Sequence, residues 1–438
     1  MNEKLAILVG GGPAPGINSV IGAATIRACL SGVQVVGIQD GFRWLIEGDT
    51  SRVTPLSIAD TGRIHFRGGS TLGISRANPT KSPELLAKCL DTLDRLGVGM
   101  LVTIGGDDTC FSSSQLAKAS KGSTAWRGAG AAPLRVVHVP KTIDNDLDLP
   151  QDVYTFGFQT ARHIGVEIVK NLMVDAKTTS RWYFVIAMGR KAGHLALGIG
   201  KAAGATLSLV SEEFENPVRL SKVVDTLACA IIKRLSQGRT DGVAVLAEGL
   251  VEHILPSDIE GLEGVERDAH GHIRIAEVDF GNMVKAAVKK QLAEMRVSAT
   301  VVSKNIGYEL RCADPIPFDM EYTRDLGYCA ARHVIEGGTE ALISIQRGRF
   351  VPVPFAQIMD PVTGRMRVRM VDVTSDRYKI ARSYMLRLKP EDLEDRVELA
   401  HMAAAANMTA PEFKQRFGYL VENEPRQSIV PMRAAKPV

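Results

Sequence analysis

One lysine and two aspartates stand within six residues in Lys141-Thr142-Ile143-Asp144-Asn145-Asp146, directly after an apolar run from Arg135 to Val139. The run reads as a short buried strand. The charged stretch is then the loop at a strand end, where the crevices of α/β sheets carry their chemistry. A cation beside two closely spaced carboxylates suits proton abstraction next to a bound phosphate. A solvated polar turn uses the same residue types, because Asn and Asp are common in turns.

Two further strand ends carry glycines. The apolar run Leu5 to Val9 enters Gly10-Gly11-Gly12-Pro13-Ala14-Pro15-Gly16, and a helix is expected from Ile17 to Leu30, with Gly16 or Asn18 near its start. Strand, glycine loop and helix make an anion site, since glycines let backbone N–H groups approach a phosphate. The loop has neither the GxGxxG spacing of a dinucleotide fold nor the GK[ST] of a P-loop, so the anion stays unnamed. Gly99 to Ile104 is a second such strand, ending in Gly105-Gly106-Asp107-Asp108-Thr109 before a helix to Ala119. A helix cap needs one carboxylate; two adjacent ones at a phosphate site suit Mg²⁺, which takes carboxylates and waters. Arg67 to Arg76, rich in glycine, hydroxyls and arginine, has the composition of a loop around a polyanion and equally of a surface loop.

The frame that must position these loops is long. At 438 residues the chain has room for two domains and extensions. Strands at Val33–Ile38, Trp182–Ala187, Thr206–Val210 and Gly242–Leu246 alternate with helices at Ser82–Leu96, Gly157–Met173, Ala192–Ala203 and Leu220–Leu235. That alternation predicts an α/β fold with parallel sheets. Later helices are expected at Phe280–Met295, Tyr322–Glu336 and Pro390–Met408, with short strands and turns over 341–372. Lys118–Pro133, rich in Gly, Ala and Ser, reads as a flexible excursion, Pro256–Ile275 as a surface insertion whose His270 and His272 lie in solvent, and 420–438 as a flexible tail.

Composition excludes several classes. Hydrophobic residues make up 45% and charged ones 23%, as in soluble globular proteins. A net charge of +4 without basic runs does not suggest a nucleic-acid partner, and 5% aromatics argue against a base-stacking platform. The six cysteines form no CxxC pair and read as reduced core residues. The chain enters a strand at once, without a signal segment, and no apolar run approaches the ~20 residues of a membrane span. The expected location is the cytoplasm.

These motifs together resemble the phosphofructokinase family: Gly10–Gly16, Gly105-Gly106-Asp107, Thr142-Ile143-Asp144-Asn145-Asp146, Met188-Gly189-Arg190, Glu248-Gly249 and Gly307-Tyr308-Glu309-Leu310-Arg311, in the family's order over residues 5–335. The resemblance implies two Rossmann-like lobes with mostly parallel sheets flanked by helices, and an active site in the cleft between them. One lobe would comprise 1–157 and about 312–360, and bind the donor; the other, 158–311 and about 361–410, would bind the sugar phosphate. Family members that use ATP carry glycine where this chain has Asp108 and Lys141, so the resemblance is to the pyrophosphate-using branch. A carboxylate at position 108 occupies the place of a nucleotide α-phosphate, and Lys141 supplies a cation near the transferring group, partly balancing Asp108.

The implied reaction is reversible transfer from pyrophosphate to the 1-hydroxyl of fructose 6-phosphate, in glycolysis and gluconeogenesis. Asp144 would be the base, with Lys141 and Asp108 also catalytic, and Asp107 would hold Mg²⁺. Gly11, Gly12, Gly106, Arg76 and Lys81 would bind the donor. Thr142, Met188, Gly189, Arg190, Glu248, Tyr308 and Arg311 would bind the sugar phosphate. Arg181 matches a family arginine that reaches in from a neighbouring subunit, which implies a homodimer or homotetramer. An arginine that the family usually places six residues before the tyrosine is Val302 here. The rivals are an ATP-dependent 6-phosphofructokinase, opposed by Asp108 and Lys141, and a non-catalytic regulatory subunit that binds sugar phosphates, opposed by the presence of Asp107, Lys141 and Asp144.

Overall fold

The computed structural model describes residues 3–121, 126, 132–150, 153–260, 278–360, 366–422 and 424. It divides into two compact units. One is Met1–Glu167, Met188–Ile199 and Ile306–Val371; the other is Ile168–Ala187, Gly200–Asn305 and Asp372–Val438.

The first unit is built on an eight-stranded sheet. Its order is Arg349–Pro354, Ala341–Gln346, Arg135–Thr142, Val98–Gly105, Lys4–Val9, Val35–Ile38, Val53–Leu56, with the short Phe156–Gly157 paired to the end of Arg135–Thr142. The three central strands are parallel and almost wholly buried. Their largely apolar runs follow from being covered on both faces. The two outer pairings, Val35–Ile38 with Val53–Leu56 and Ala341–Gln346 with Arg349–Pro354, are antiparallel. The core beneath the sheet includes Ala6, Leu8, Leu90, Leu93, Leu101, Leu116 and Trp126.

Trp126 alters one sequence expectation. Most of Lys118–Pro133 falls outside the described residues, but Trp126 is 1% exposed and its indole donates to the Ala132 carbonyl at 2.9 Å. An indole of this size is an anchor, because its burial removes a large apolar area from water. The insertion around His270 and His272, residues 361–365 and most of the final tail also lie outside the described residues.

Local signals behave as their chemistry requires. Ser82 caps the helix Pro83–Arg95 through its Oγ, which accepts from the Leu85 N–H at 3.3 Å, and proline occupies the first helical position. Gly16 caps Ile17–Leu30 by conformation alone. Asn18 does other work: its Nδ2 donates to the carbonyls of Arg67 and Gly68, each at 3.1 Å, and its Oδ1 accepts from the Thr71 N–H at 2.8 Å. It thus holds the Arg67–Arg76 loop onto the helix that follows the first glycine loop.

The second unit carries a four-stranded sheet in the order Val301–Ile306, Trp182–Ala187, Gly242–Ala247, Leu207–Leu209. Two helices differ from expectation. Phe158–Thr179 is longer than its predicted end at Met173. Pro390–Met408 is two helices, Pro390–Glu394 and Arg396–Ala405, because the Asp395 carboxylate accepts from the N–H groups of Val397 and Glu398 and starts the second one.

All six cysteines are free; Cys312 is exposed and Cys29 half-buried, while the other four lie in the core. No helix among the described residues is long and apolar enough to cross a membrane.

Candidate active site

Strand register alone brings three of the sequence motifs together. Val9 pairs with Ile104, and Ile104 with Val139, in adjacent parallel strands. The chain therefore leaves all three strands at one level, and Gly10–Gly12, Gly105–Asp108 and Lys141–Asp146 form one polar rim. Thr109 fits between the first two: a Cβ on Gly10 or Gly105 would lie 2.5 or 2.4 Å from its Oγ1. Gly11 sits at φ 84°, open to glycine at little cost, and its N–H is spent on the Ser75 carbonyl at 3.0 Å.

Lys141 is the electrostatic centre of this rim. It is 4% exposed, and its ammonium donates to the Gly12 carbonyl. Burial pushes its pKa down to about 8; Arg190 and Arg311 push the same way, while Asp144 and Asp107 oppose them. Lys141 and Asp108 form no ion pair. Asp108 is exposed on the first turn of the helix Asp107–Ala119, whereas Lys141 points inward from its strand to Gly12.

Arg190 gathers the carboxylates. Its Nη1 lies 3.1 Å from Asp107 Oδ1, and its Nε 4.0 Å from Asp144 Oδ2. Asp144 and Asp146 are buried at 7% and 8% exposure. Burial raises the pKa of Asp146 and Arg190 opposes the rise. The Asp144 N–H donates to the Thr142 hydroxyl at 3.0 Å. Between the two aspartates Asn145 adopts φ 56°, a left-handed turn that asparagine tolerates better than most residues.

The sugar-site candidates of the first unit meet nearby. The Met188 N–H donates to the Ile306 carbonyl at 3.0 Å, and a Cβ on Gly307 would lie 2.8 Å from the Met188 side chain. Gly189 lies between Met188 and Arg190, where a Cβ would press on the Ala192 carbonyl at 2.8 Å. Arg311 stacks over the exposed Tyr308 ring at 4.6 Å, and its Nη1 lies 3.3 Å from where a Gly12 Cβ would be. Gly106 caps the helix that begins at Asp107. Arg76 and Lys81 are exposed, and neither makes an ion pair among the described residues, so no contact draws them into the cluster.

Glu248 and Arg181 belong to the second unit and are described there. Glu248 follows the strand Gly242–Ala247, its N–H donating to the Ala187 carbonyl at 3.1 Å. Arg181 precedes Trp182–Ala187 and lies 3.9 Å from Asp175. The two strands are parallel with Trp182 opposite Gly242. Arg181 and Glu248 therefore stand at opposite ends of six-residue strands, about 20 Å apart at the usual rise.

Some contributors carried no sequence signal. His138, inside the apolar strand, is fully buried beneath the second glycine turn; Nε2 meets the Gly105 carbonyl at 3.0 Å and Nδ1 the Thr103 hydroxyl at 2.9 Å. Burial holds its pKa down to about 3, so it is neutral. Asp319 accepts from the N–H groups of Gly157 and Thr160 at 3.0 and 2.8 Å, fixing the start of the helix Phe158–Thr179.

No group of three or more His, Cys, Asp or Glu forms a ready-made metal cage among the described residues. Mg²⁺ does not need one: it binds through one or two carboxylates plus substrate phosphate oxygens and waters. Asp107, and the buried Asp146 Oδ1 that has no hydrogen-bond partner, fit that donor set.

The family profile described as Phosphofructokinase matches residues 4–334. Among curated relatives, the pyrophosphate–fructose 6-phosphate 1-phosphotransferase of Thermotoga maritima is 51% identical over 96% of this chain and all of that protein. The enzyme of the same name from Naegleria fowleri is 47% identical over 95% of this chain and 96% of its own. Among solved structures, that of a pyrophosphate-dependent phosphofructokinase from Nitrosospira multiformis covers 93% of each chain with a TM-score of 0.66 at 15% identity, a likeness of fold. With the profile running through the three strand-end loops, Met188–Arg190 and Tyr308–Arg311, the chain belongs to the phosphofructokinase family.

Proposed function

We infer that this phosphofructokinase transfers a phosphoryl group from pyrophosphate to the 1-hydroxyl of fructose 6-phosphate, giving fructose 1,6-bisphosphate and phosphate, and runs the reaction in both directions. The observation that carries the reading is the buried Lys141 ammonium, anchored on the Gly12 carbonyl between two glycine turns and close in charge to Asp144 and Asp107. The names of the two close relatives support it.

A sugar hydroxyl is a weak nucleophile at neutral pH, so a base within hydrogen-bond reach is required. Asp144 takes the proton of the 1-hydroxyl as that oxygen attacks the terminal phosphorus. The bond from phosphorus to the bridging oxygen breaks, and its electron pair leaves on phosphate. Lys141 faces the negative charge that gathers on the donor oxygens, which Gly12 and Gly106 cradle, while Gly11, its N–H spent on the Ser75 carbonyl, contributes close backbone approach rather than a donor. Asp107 would hold Mg²⁺, which would supply positive charge to spread the charge on the donor. Arg190, Arg311, Tyr308, Met188, Gly189, Thr142 and Glu248 bind the sugar phosphate, where a planar guanidinium suits bidentate phosphate recognition. Arg76, next to the Ser75 that pairs with Gly10 and Gly11, and Lys81, at the end of the short turn Pro79–Lys81, contact the donor.

Asp108 selects the donor. It presents a carboxylate at the first turn of its helix, outside the Gly106 cap. A nucleotide α-phosphate placed a few ångströms away would meet a repulsion of about 4 kcal/mol at an effective dielectric of 20. Pyrophosphate ends before that point.

Arg181 acts in the site of a neighbouring copy, in a homodimer or homotetramer. Its place at the far end of the strands from Glu248 supports this, because one chain cannot bring both to the same sugar.

The test is to incubate the protein with Mg²⁺, fructose 6-phosphate and pyrophosphate and follow phosphorus resonances. Appearance of fructose 1,6-bisphosphate and phosphate is expected, and fructose 1,6-bisphosphate with phosphate should regenerate pyrophosphate. No turnover in either direction would contradict the proposal.

A further inference from the structure

We propose that Arg369 is a positioning residue that locks the Asp144–Asp146 loop in its working shape. The proposal rests on the phosphotransfer reading above. Arg369 lies beyond residues 4–334, the stretch matched by the family profile.

The side chain spends its donors on one loop. Nε and Nη2 donate to the Asn145 carbonyl at 3.2 and 3.1 Å, and Nη2 also to Asn145 Oδ1 at 2.6 Å. Nη1 donates to the carbonyls of Leu149, Pro150 and Val153 at 3.2, 3.3 and 3.0 Å. The backbone joins in: the Arg369 N–H donates to the Asp146 carbonyl at 2.7 Å, and Val368 bridges Leu147. Irregular backbone at a buried site needs partners for its carbonyls, and one guanidinium supplies most of them here.

Two features make this more than support for a loop. Asn145 holds φ 56° between the proposed base and Asp146, and its Oδ1 is gripped from two sides, by Arg369 and by the Thr155 N–H at 3.1 Å. The left-handed turn sets where Asp144 and Asp146 point. Arg369 also accepts, through its own carbonyl, a hydrogen bond from His194 Nε2 at 3.0 Å. His194 opens the helix that follows Arg190, the cation between Asp107 and Asp144. One residue thus touches both the loop that carries the base and the segment that carries its arginine. Lysine cannot replace it, since three donors on one nitrogen do not match a fork reaching four carbonyls.

The test compares wild type with Arg369→Lys, Arg369→Met and Asn145→Gly for kcat, KM, thermal unfolding and amide exchange over 143–153. Both arginine variants are expected to lose 10- to 100-fold in kcat, the scale of an ångström of misplacement. KM for pyrophosphate should stay within threefold, because the glycine loop and Lys141 are untouched. Exchange should quicken over 143–153 while the strand Lys4–Val9 stays protected. Asn145→Gly keeps access to the left-handed turn and loses the Oδ1 grip, so its kcat loss should be the smaller. Unchanged kcat, unchanged exchange over 143–153, or a fall in unfolding temperature with kcat per folded molecule intact would each overturn the proposal. A wild type inactive with pyrophosphate counts against the reaction, and the exchange result then decides the clamp alone.

Discussion

Lys141 and Gly12 are joined by a hydrogen bond from ammonium to carbonyl that crosses over an intervening strand. Lys141 ends one strand and Gly12 follows another, and Val98–Gly105 lies between them in the sheet. Two strand spacings are about 10 Å, so the lysine stem spans the mouth of the second glycine turn. The three strand-end loops are tied into one rim by this one buried charge.

That charge is fragile. Burial first, then Arg190 and Arg311, bring its pKa down to about 8 in the free protein. The ammonium is present below that value and is lost as pH rises through it. The kcat/KM for pyrophosphate should therefore fall on an alkaline limb near pH 8, since that ratio reports the free enzyme. Lys141→Arg should move the limb upward, and Lys141→Met should cost at least about 100-fold, the scale of removing one preorganised donor. A flat profile from pH 7 to 9 would remove Lys141 from the chemistry.

Much of the rim was legible in the sequence because its logic is local. Apolar runs that stop at glycine or charge name strand ends, and parallel register does the assembly. What was hidden has its partners far away in the chain. His138 looks like a core residue because its two hydrogen bonds point to Thr103 and Gly105. Arg369 stands in a charged stretch without periodicity, and only the fold brings it to a loop more than two hundred residues earlier. The helical pattern over 390–408 concealed the break at Asp395, which only the structure shows capping the second helix. The resemblance placed the Lys141 cation near the transferring group, and only the fold shows its ammonium anchored on the Gly12 carbonyl.

In the second unit, Glu213 is buried between two arginines, ion-paired to Arg382 and 2.8 Å from Arg387, with the Tyr378 hydroxyl donating at 2.7 Å. Burial alone would raise its pKa, but Arg387 and Arg382 outweigh it and hold the carboxyl below the ordinary value of 4.5. A depressed carboxyl gives stability that is present above the unfolded pKa, about 4.3, and lost as pH falls through the folded value. Glu213→Gln should destabilise by about 3 kcal/mol at neutral pH, because it leaves the buried Arg387 guanidinium without its carboxylate, while Arg382 keeps Glu424. The variant should also show a weaker loss of stability below about pH 4. Chemical denaturation at pH 7 and pH 4 checks both, and equal stability of variant and wild type at pH 7 would contradict the prediction.

The placement of Arg181 predicts complementation between subunits. Arg181→Ala and Asp144→Asn should each lose most activity alone, Arg181→Ala mainly through KM for fructose 6-phosphate and Asp144→Asn through kcat by about 100-fold or more. Mixed oligomers formed from the two should recover part of the wild-type rate, because some sites then hold a sound base and a sound partner arginine. Mixed oligomers no more active than the separate variants would place Arg181 outside the shared site.

The most direct measurement is the initial rate of fructose 6-phosphate phosphorylation with Mg²⁺ and either pyrophosphate or ATP, on wild type and on the double variant Asp108→Gly/Lys141→Gly. The account predicts wild-type activity with pyrophosphate and a preference over ATP of at least about 100-fold, which is under 3 kcal/mol and within the repulsion assigned to Asp108. It predicts that the double variant loses pyrophosphate activity. Wild-type activity with ATP alone, or full pyrophosphate activity in the double variant, would contradict it.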